Sequence, residues 1–188
     1  MNYVTADGTG AAARQTVAAA ARPRAETVAH YVEEVKRLLG EQWVPRIYGG
    51  RILQMRTRSH KLVGREGRAK AAVVVQHTLL GVELKVGNYR MSCPDLATAR
   101  YLAVFARAGC PAVAVPYDIT RISVLADELE SAWHRMLLLV EHVAGERTAA
   151  FRSRVRSALV REVRREITEA GAGTAVPQFN QNTKQRRG

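Results

Sequence analysis

The sequence predicts an α/β fold, with α+β as the alternative: a small mixed sheet in helix–strand–strand–strand–helix–strand order, followed by long C-terminal helices. Three observations carry that expectation. Apolar residues recur at three- and four-residue steps in several stretches. β-branched runs with two-residue alternation fall between the first two of those stretches. Gly or Pro punctuates most changes of pattern. The chain has 188 residues, 47% of them hydrophobic, which suits one packed domain and excludes a disordered polyelectrolyte.

Residues 1–21 are rich in Ala, Gly and Thr and read as a flexible N-terminal arm. A single domain over 22–170 follows. Pro23 suits a helix start, and Val28, Tyr31, Val32, Val35, Leu38 and Leu39 make an amphipathic helix over 24–39, closed by Gly40. Ile47 to Gly50 reads as a turn because Gly49-Gly50 is a strong breaker, and Ile52, Met55 and Thr57 suggest a strand over 51–58. Gly64 to Arg68 is a basic loop. Strands follow at 72–78 and 82–86, with Tyr89 to Met91 extending the pairing.

Pro94-Asp95 marks the start of a helix over 95–108, with Leu96, Ala99, Leu102, Ala103 and Ala106 as its buried stripe and Gly109 as its end. The apolar strand 112–116 then completes a strand–helix–strand unit, which predicts a partly parallel sheet. Ser123 is placed to cap a long helix reaching Gly145. A last helix over 147–169 has a four-residue ladder of Phe151, Val155, Leu159, Val163 and Ile167. Residues 171–188 read as a disordered basic tail.

The net charge is +12, and it is uneven. Residues 46–70 hold eight basic side chains and one acid; residues 147–188 hold ten basic and three acidic. The rest of the chain is close to neutral. Of the basic residues 24 are Arg and 5 are Lys, and the planar guanidinium fork grips phosphate in two places. The expected partner is nucleic acid, DNA before RNA, met through its phosphates. The candidate contacts are Arg46, Arg51, Arg56, Arg58, Lys61, Arg65, Arg68 and Lys70, with Tyr48 and His60 among them, and Arg147, Arg154, Arg161 and Arg165 along one face of the last helix. With aromatic content of 6%, stacking platforms are few, which favours backbone contacts over base readout. A second copy pairing through the 147–169 ladder would give a homodimer with doubled basic surface.

Several classes are excluded or disfavoured. No P-loop, dinucleotide fingerprint, zinc-finger spacing or RNA-recognition signature occurs. No apolar run of about 18 residues exists, so no membrane span or membrane partner is expected. Two cysteines make no disulfide framework, and a reducing cytoplasm is the expected compartment. Cys93 and Cys110 flank the 95–108 helix as packing residues. Asp118 is placed as a helix cap, with Arg121 beside it.

One constellation could carry chemistry. Glu83 and Lys85 lie two apart on a strand and therefore share a face. A carboxylate holds a hard cation, and a lysine orients water or stabilises charge on a phosphoryl group. With the helix, three strands, helix and strand around it, this triplet resembles the PD-(D/E)xK nuclease superfamily over residues 24–117. The resemblance implies Glu83 as metal ligand and catalytic acid, Lys85 as catalytic lysine, Glu33 or Glu34 as an additional acid, and Mg²⁺ or Mn²⁺ as cofactor. The superfamily carries an Asp upstream on the second strand, and no Asp lies between Asp7 and Asp95 here; either Glu66 substitutes for it, or the fold is retained without catalysis, or the likeness is accidental, with Gln76 and His77 on the second strand and His77 a further candidate base or ligand.

The leading expectation is therefore a DNA-binding protein acting in replication, repair or recombination. A metal-dependent nuclease using Glu83 and Lys85 is the alternative, and an oligomeric assembly protein the second.

Overall fold

The computed structural model describes residues 27–52, 54–62 and 72–172. The expected N-terminal arm, the basic loop within 63–71 and the tail residues 173–188 lie outside them. The elements are α1 (Val28–Leu39), a 3-10 turn (Gly40–Gln42), α2 (Val44–Ile52), β1 (Thr57–Lys61), β2 (Val73–Thr78), β3 (Gly81–Val86), β4 (Tyr89–Cys93), α3 (Leu96–Ala108), β5 (Ala112–Pro116), α4 (Ile119–Val143) and α5 (Ala149–Ala170). This is the mixed α/β class expected, with long C-terminal helices.

α1 buries Tyr31, Val32, Val35 and Leu39, and Thr27 caps it by accepting from the His30 N–H. The expected turn at 47–50 is instead the middle of α2. Ile47 and Tyr48 are buried there against the rest of the core, and that packing outweighs the poor helix propensity of Gly49-Gly50. The strand expected over 51–58 consequently starts later, at Thr57.

Strand pairing departs from the partly parallel sheet. β2, β3 and β4 form an antiparallel meander, and β1 pairs antiparallel with β5 in a separate two-stranded ribbon, from Thr57 opposite Pro116 to Lys61 opposite Ala112. The physical reason lies at the far edge of β5. The Ala114 N–H donates to the Tyr48 hydroxyl (2.8 Å), and the Ala114 carbonyl accepts from the Tyr101 hydroxyl (2.6 Å). Two phenols therefore satisfy the groups that a further strand would need.

α3 is the central helix. Tyr101 through Phe105 are all buried, between the meander, whose Leu84 is fully buried, and α4. The sequence stripe understated this helix: Leu96 is exposed, whereas Tyr101, Val104 and Phe105 are inside. A helix apolar on most sides is a core helix. Gly109 closes it in the left-handed conformation (φ 74°).

α4 is capped by Asp118, whose carboxylate accepts from the Thr120 N–H (3.0 Å), and Ser123 lies inside the helix. α5 starts at Thr148. Its Val155, Leu159, Val163 and Ile167 are fully buried within the chain, and Phe151 meets Tyr31 edge-on at 5.3 Å. The ladder once available to a second copy is thus consumed by the domain's own core, which removes the basis for the homodimer through it. Cys93 and Cys110 are free and buried, as packing residues; burial pushes the Cys110 thiol up to about 12.

Candidate nucleic-acid interface

The first basic zone divides into paired and unpaired cations. Arg46 binds Glu41 (3.0 Å) and Arg51 binds Glu128 (3.2 Å). Arg56, Arg58 and Lys61 are exposed, and no acid of the described residues lies within ion-pair distance of them. All three sit on or beside β1, whose backbone is fixed by β5 and by the Tyr117 N–H donating to the Arg56 carbonyl (3.1 Å). Strand alternation sends Arg58 and His60 to one side and Lys61 to the other. His60 is half-buried, 3.2 Å from the Met91 sulfur, and burial together with the Arg58 guanidinium lowers its pKa. Arg65, Glu66, Arg68 and Lys70 lie outside the described residues.

The register of the meander places a second group together. Val74, Gln76, Glu83, Lys85, Arg90 and Ser92 alternate onto the face opposite buried Leu84. Glu83 accepts from the Gln76 amide (3.2 Å) and has the Arg90 guanidinium at 3.9 Å. Lys85 stands directly opposite Arg90, an arrangement of like charges that destabilises a sheet locally. His77 alternates onto the other face and does not join Glu83.

The nuclease resemblance implies a divalent cation at this face. Hard dications take several oxygen ligands. The face supplies one carboxylate, already bonded to an amide and flanked by two cations. Among the described residues no group of three or more His, Cys, Asp or Glu side chains is arranged to hold a metal ion. Glu33 lies near Lys36 (3.9 Å) and Glu34 pairs with Arg37 (2.6 Å), each within α1. The described residues of this face do not fit such a cation.

The second basic zone, on α5, is answered by acids in part. Arg165 binds Glu162 (2.6 Å) and Glu169 (2.7 Å), and Arg152 and Arg156 converge on Glu141 of α4. Arg147 donates to the Tyr31 hydroxyl (2.9 Å). Arg154 lies over the Phe151 ring at 5.3 Å. Arg161 is exposed. Toward α1 the acids of α5 form a network: Lys36 binds Glu162 (3.1 Å) and Glu166 (2.8 Å), and the Trp43 indole donates to Glu166 (2.7 Å).

That network has a pH consequence. The Arg165 hydrogen bond, helped by Lys36 and opposed by burial, holds the Glu162 carboxyl at about 2 against an ordinary 4.5. A carboxyl whose pKa is depressed in the folded state adds stability above its unfolded pKa and loses it as pH falls through the folded value. The urea midpoint is expected to drop on going from about pH 6 to about pH 3, and Glu162→Gln should shrink that drop. Equal pH dependence in the two proteins would refute this role for Glu162.

Sequence reasoning missed Arg90 and the acid partners of the α5 arginines. The signal for Arg90 was present: two-residue alternation on a meander puts it opposite Lys85. No family model matches this chain, and no curated protein or solved structure matches it either. No helix of the described residues is long and apolar enough to cross a membrane.

Proposed function

We propose that this chain binds duplex DNA through its phosphate backbone, with Arg56, Arg58 and Lys61 of the β1 ribbon as the central contacts and Arg65, Arg68 and Lys70, which follow in the sequence, as further candidates. The observation that carries this reading is that no acid of the described residues pairs with those three cations, whereas most other arginines of the described residues have an acid partner. Arg56 and Arg58, two residues apart, repel one another, and a polyanion relieves that repulsion while releasing its own counterions; Lys61 adds a cation on the other side of the ribbon. Lys85 and Arg90 extend the same chemistry onto the meander. On α5 the acids occupy Arg152, Arg156 and Arg165, which leaves Arg154 and Arg161 as the outlying contacts of that helix. DNA is preferred to RNA on the resemblance given above, and a place in replication, repair or recombination goes with that preference.

The test is fluorescence anisotropy of a labelled duplex titrated with the full chain between about 50 and 200 mM salt. Affinity is expected to fall steeply with salt. The triple variant Arg56→Ala, Arg58→Ala, Lys61→Ala should bind at least about tenfold more weakly, with its log–log salt slope reduced by about 2–3. Arg165→Ala, which removes a paired cation, should change affinity little. Binding indifferent to salt, or a triple variant that binds like the parent, would overturn the proposal.

A further inference from the structure

The hairpin joining β2 to β3 ends in Leu79-Leu80, a two-residue turn between the paired Thr78 and Gly81. These are the most exposed large apolar side chains among the described residues, at 106% and 93%. Turn chemistry favours Asn, Asp or Gly at such positions, and solvation favours polar groups, so both influences oppose two leucines. The tip is nevertheless braced. The Thr78 hydroxyl accepts from the Leu80 N–H (3.2 Å) and donates to the Gly81 carbonyl (3.1 Å), and Gly81 takes φ 123°, which suits glycine. The braced backbone of the turn thus presents two hydrophobic side chains to whatever the protein meets.

Charge indicates what that is. Residues 72–82 carry no acidic side chain, and the first charges met on the open face going back from the tip are Glu83, already bonded to Gln76, and then Lys85 with Arg90 opposite it. At roughly 3.3 Å per residue Lys85 lies about 13 Å behind Gly81. A DNA groove is about 8 Å deep, so a tip at the groove floor leaves Lys85 and Arg90 at phosphate level, within the span of their own long side chains. The cations stand on one face of the ribbon, the other being packed on α3, and the tip has no Trp or Tyr. A lipid surface would call for aromatic anchors and a basic collar.

We propose that the β2–β3 hairpin enters a groove of the bound duplex and that Leu79 and Leu80 wedge into a base step there, while Lys85 and Arg90 hold the flanking phosphates. This inference rests on the DNA-binding reading. Apolar wedges of this kind partly unstack a step and kink the duplex.

The experiment uses the full chain and a duplex carrying 2-aminopurine, whose fluorescence rises on unstacking. The parent protein is expected to raise that fluorescence. Leu79→Ser/Leu80→Ser should abolish the rise and bind about tenfold more weakly, with the salt slope unchanged because no ionic contact is lost. Its thermal midpoint should match the parent's, since both side chains are in solvent. Lys85→Ala/Arg90→Ala should instead lower the slope by up to about 2. A leucine variant that binds and unstacks like the parent overturns the wedge and leaves the phosphate reading intact. A parent chain that does not bind duplex overturns both. Retention of the parent on phosphatidylserine vesicles, lost in the leucine variant while DNA binding is kept, overturns the wedge in favour of a lipid surface.

Discussion

Trp43→Ala is expected to destabilise the fold by about 3–5 kcal/mol, the largest effect of any single change considered. Trp43 is 2% exposed, sits at the corner between α1 and α2, and packs where α5 crosses them. Its loss opens a cavity that the surrounding helices close only in part. It also removes the indole donor from Glu166 and the ring beneath the Lys36 ammonium, which lies 5.5 Å from the ring centroid. Glu166 would keep Lys36 (2.8 Å) and, farther off, Arg165 (3.9 Å). Urea unfolding followed by circular dichroism measures the change. Trp43→Phe separates the contributions: it fills most of the volume but cannot donate, and should cost about 1–3 kcal/mol. A loss below about 1 kcal/mol for Trp43→Ala would mean that the corner is not part of the cooperative core.

The second large effect is expected at Tyr48. Its hydroxyl accepts from the Ala114 N–H and donates to the Gly171 carbonyl at 2.7 Å. Burial raises the phenol to about 12, so it stays protonated and able to donate across the usual pH range. Tyr48→Phe leaves the ring packing against Phe105 in place (5.1 Å between centroids) and strips both hydrogen bonds. The buried Ala114 N–H then has no partner, and about 2–3 kcal/mol of stability should be lost. Hydrogen exchange gives an independent readout, because the Ala114 amide should exchange faster in the variant than its neighbours on β5. An unchanged amide would show that the hydroxyl does not protect it.

How much of this was legible in the sequence depends on the range of the deciding interaction. α1, α3 and α5 follow from spacing within one helix, and the meander from alternation and turn residues. α2 does not, because its glycines argue against a helix and only contacts to distant elements overrule them. The pairing of β1 with β5 was likewise invisible: it depends on Tyr48 and Tyr101, two residues with no local signature, closing the other edge of β5. The same division governs the interface. The cations of β1 were found by their clustering. The neutralisation of α5 was partly readable, since Arg165 has Glu162 and Glu169 three and four residues away, the spacing of helical ion pairs. The joining of Arg152 and Arg156 to Glu141 of α4 required the packed helices.

The β1–β5 ribbon has one further consequence, for colloidal behaviour. Bare strand flanks template fibrils by recruiting other chains. Here one flank is stoppered by phenol oxygens and the other bristles with guanidinium and ammonium groups that repel an identical neighbour. Removing those cations to study ligand affinity would therefore also unmask a sticky seam, and alanine variants at Arg58 and Lys61 should be handled dilute and checked for turbidity.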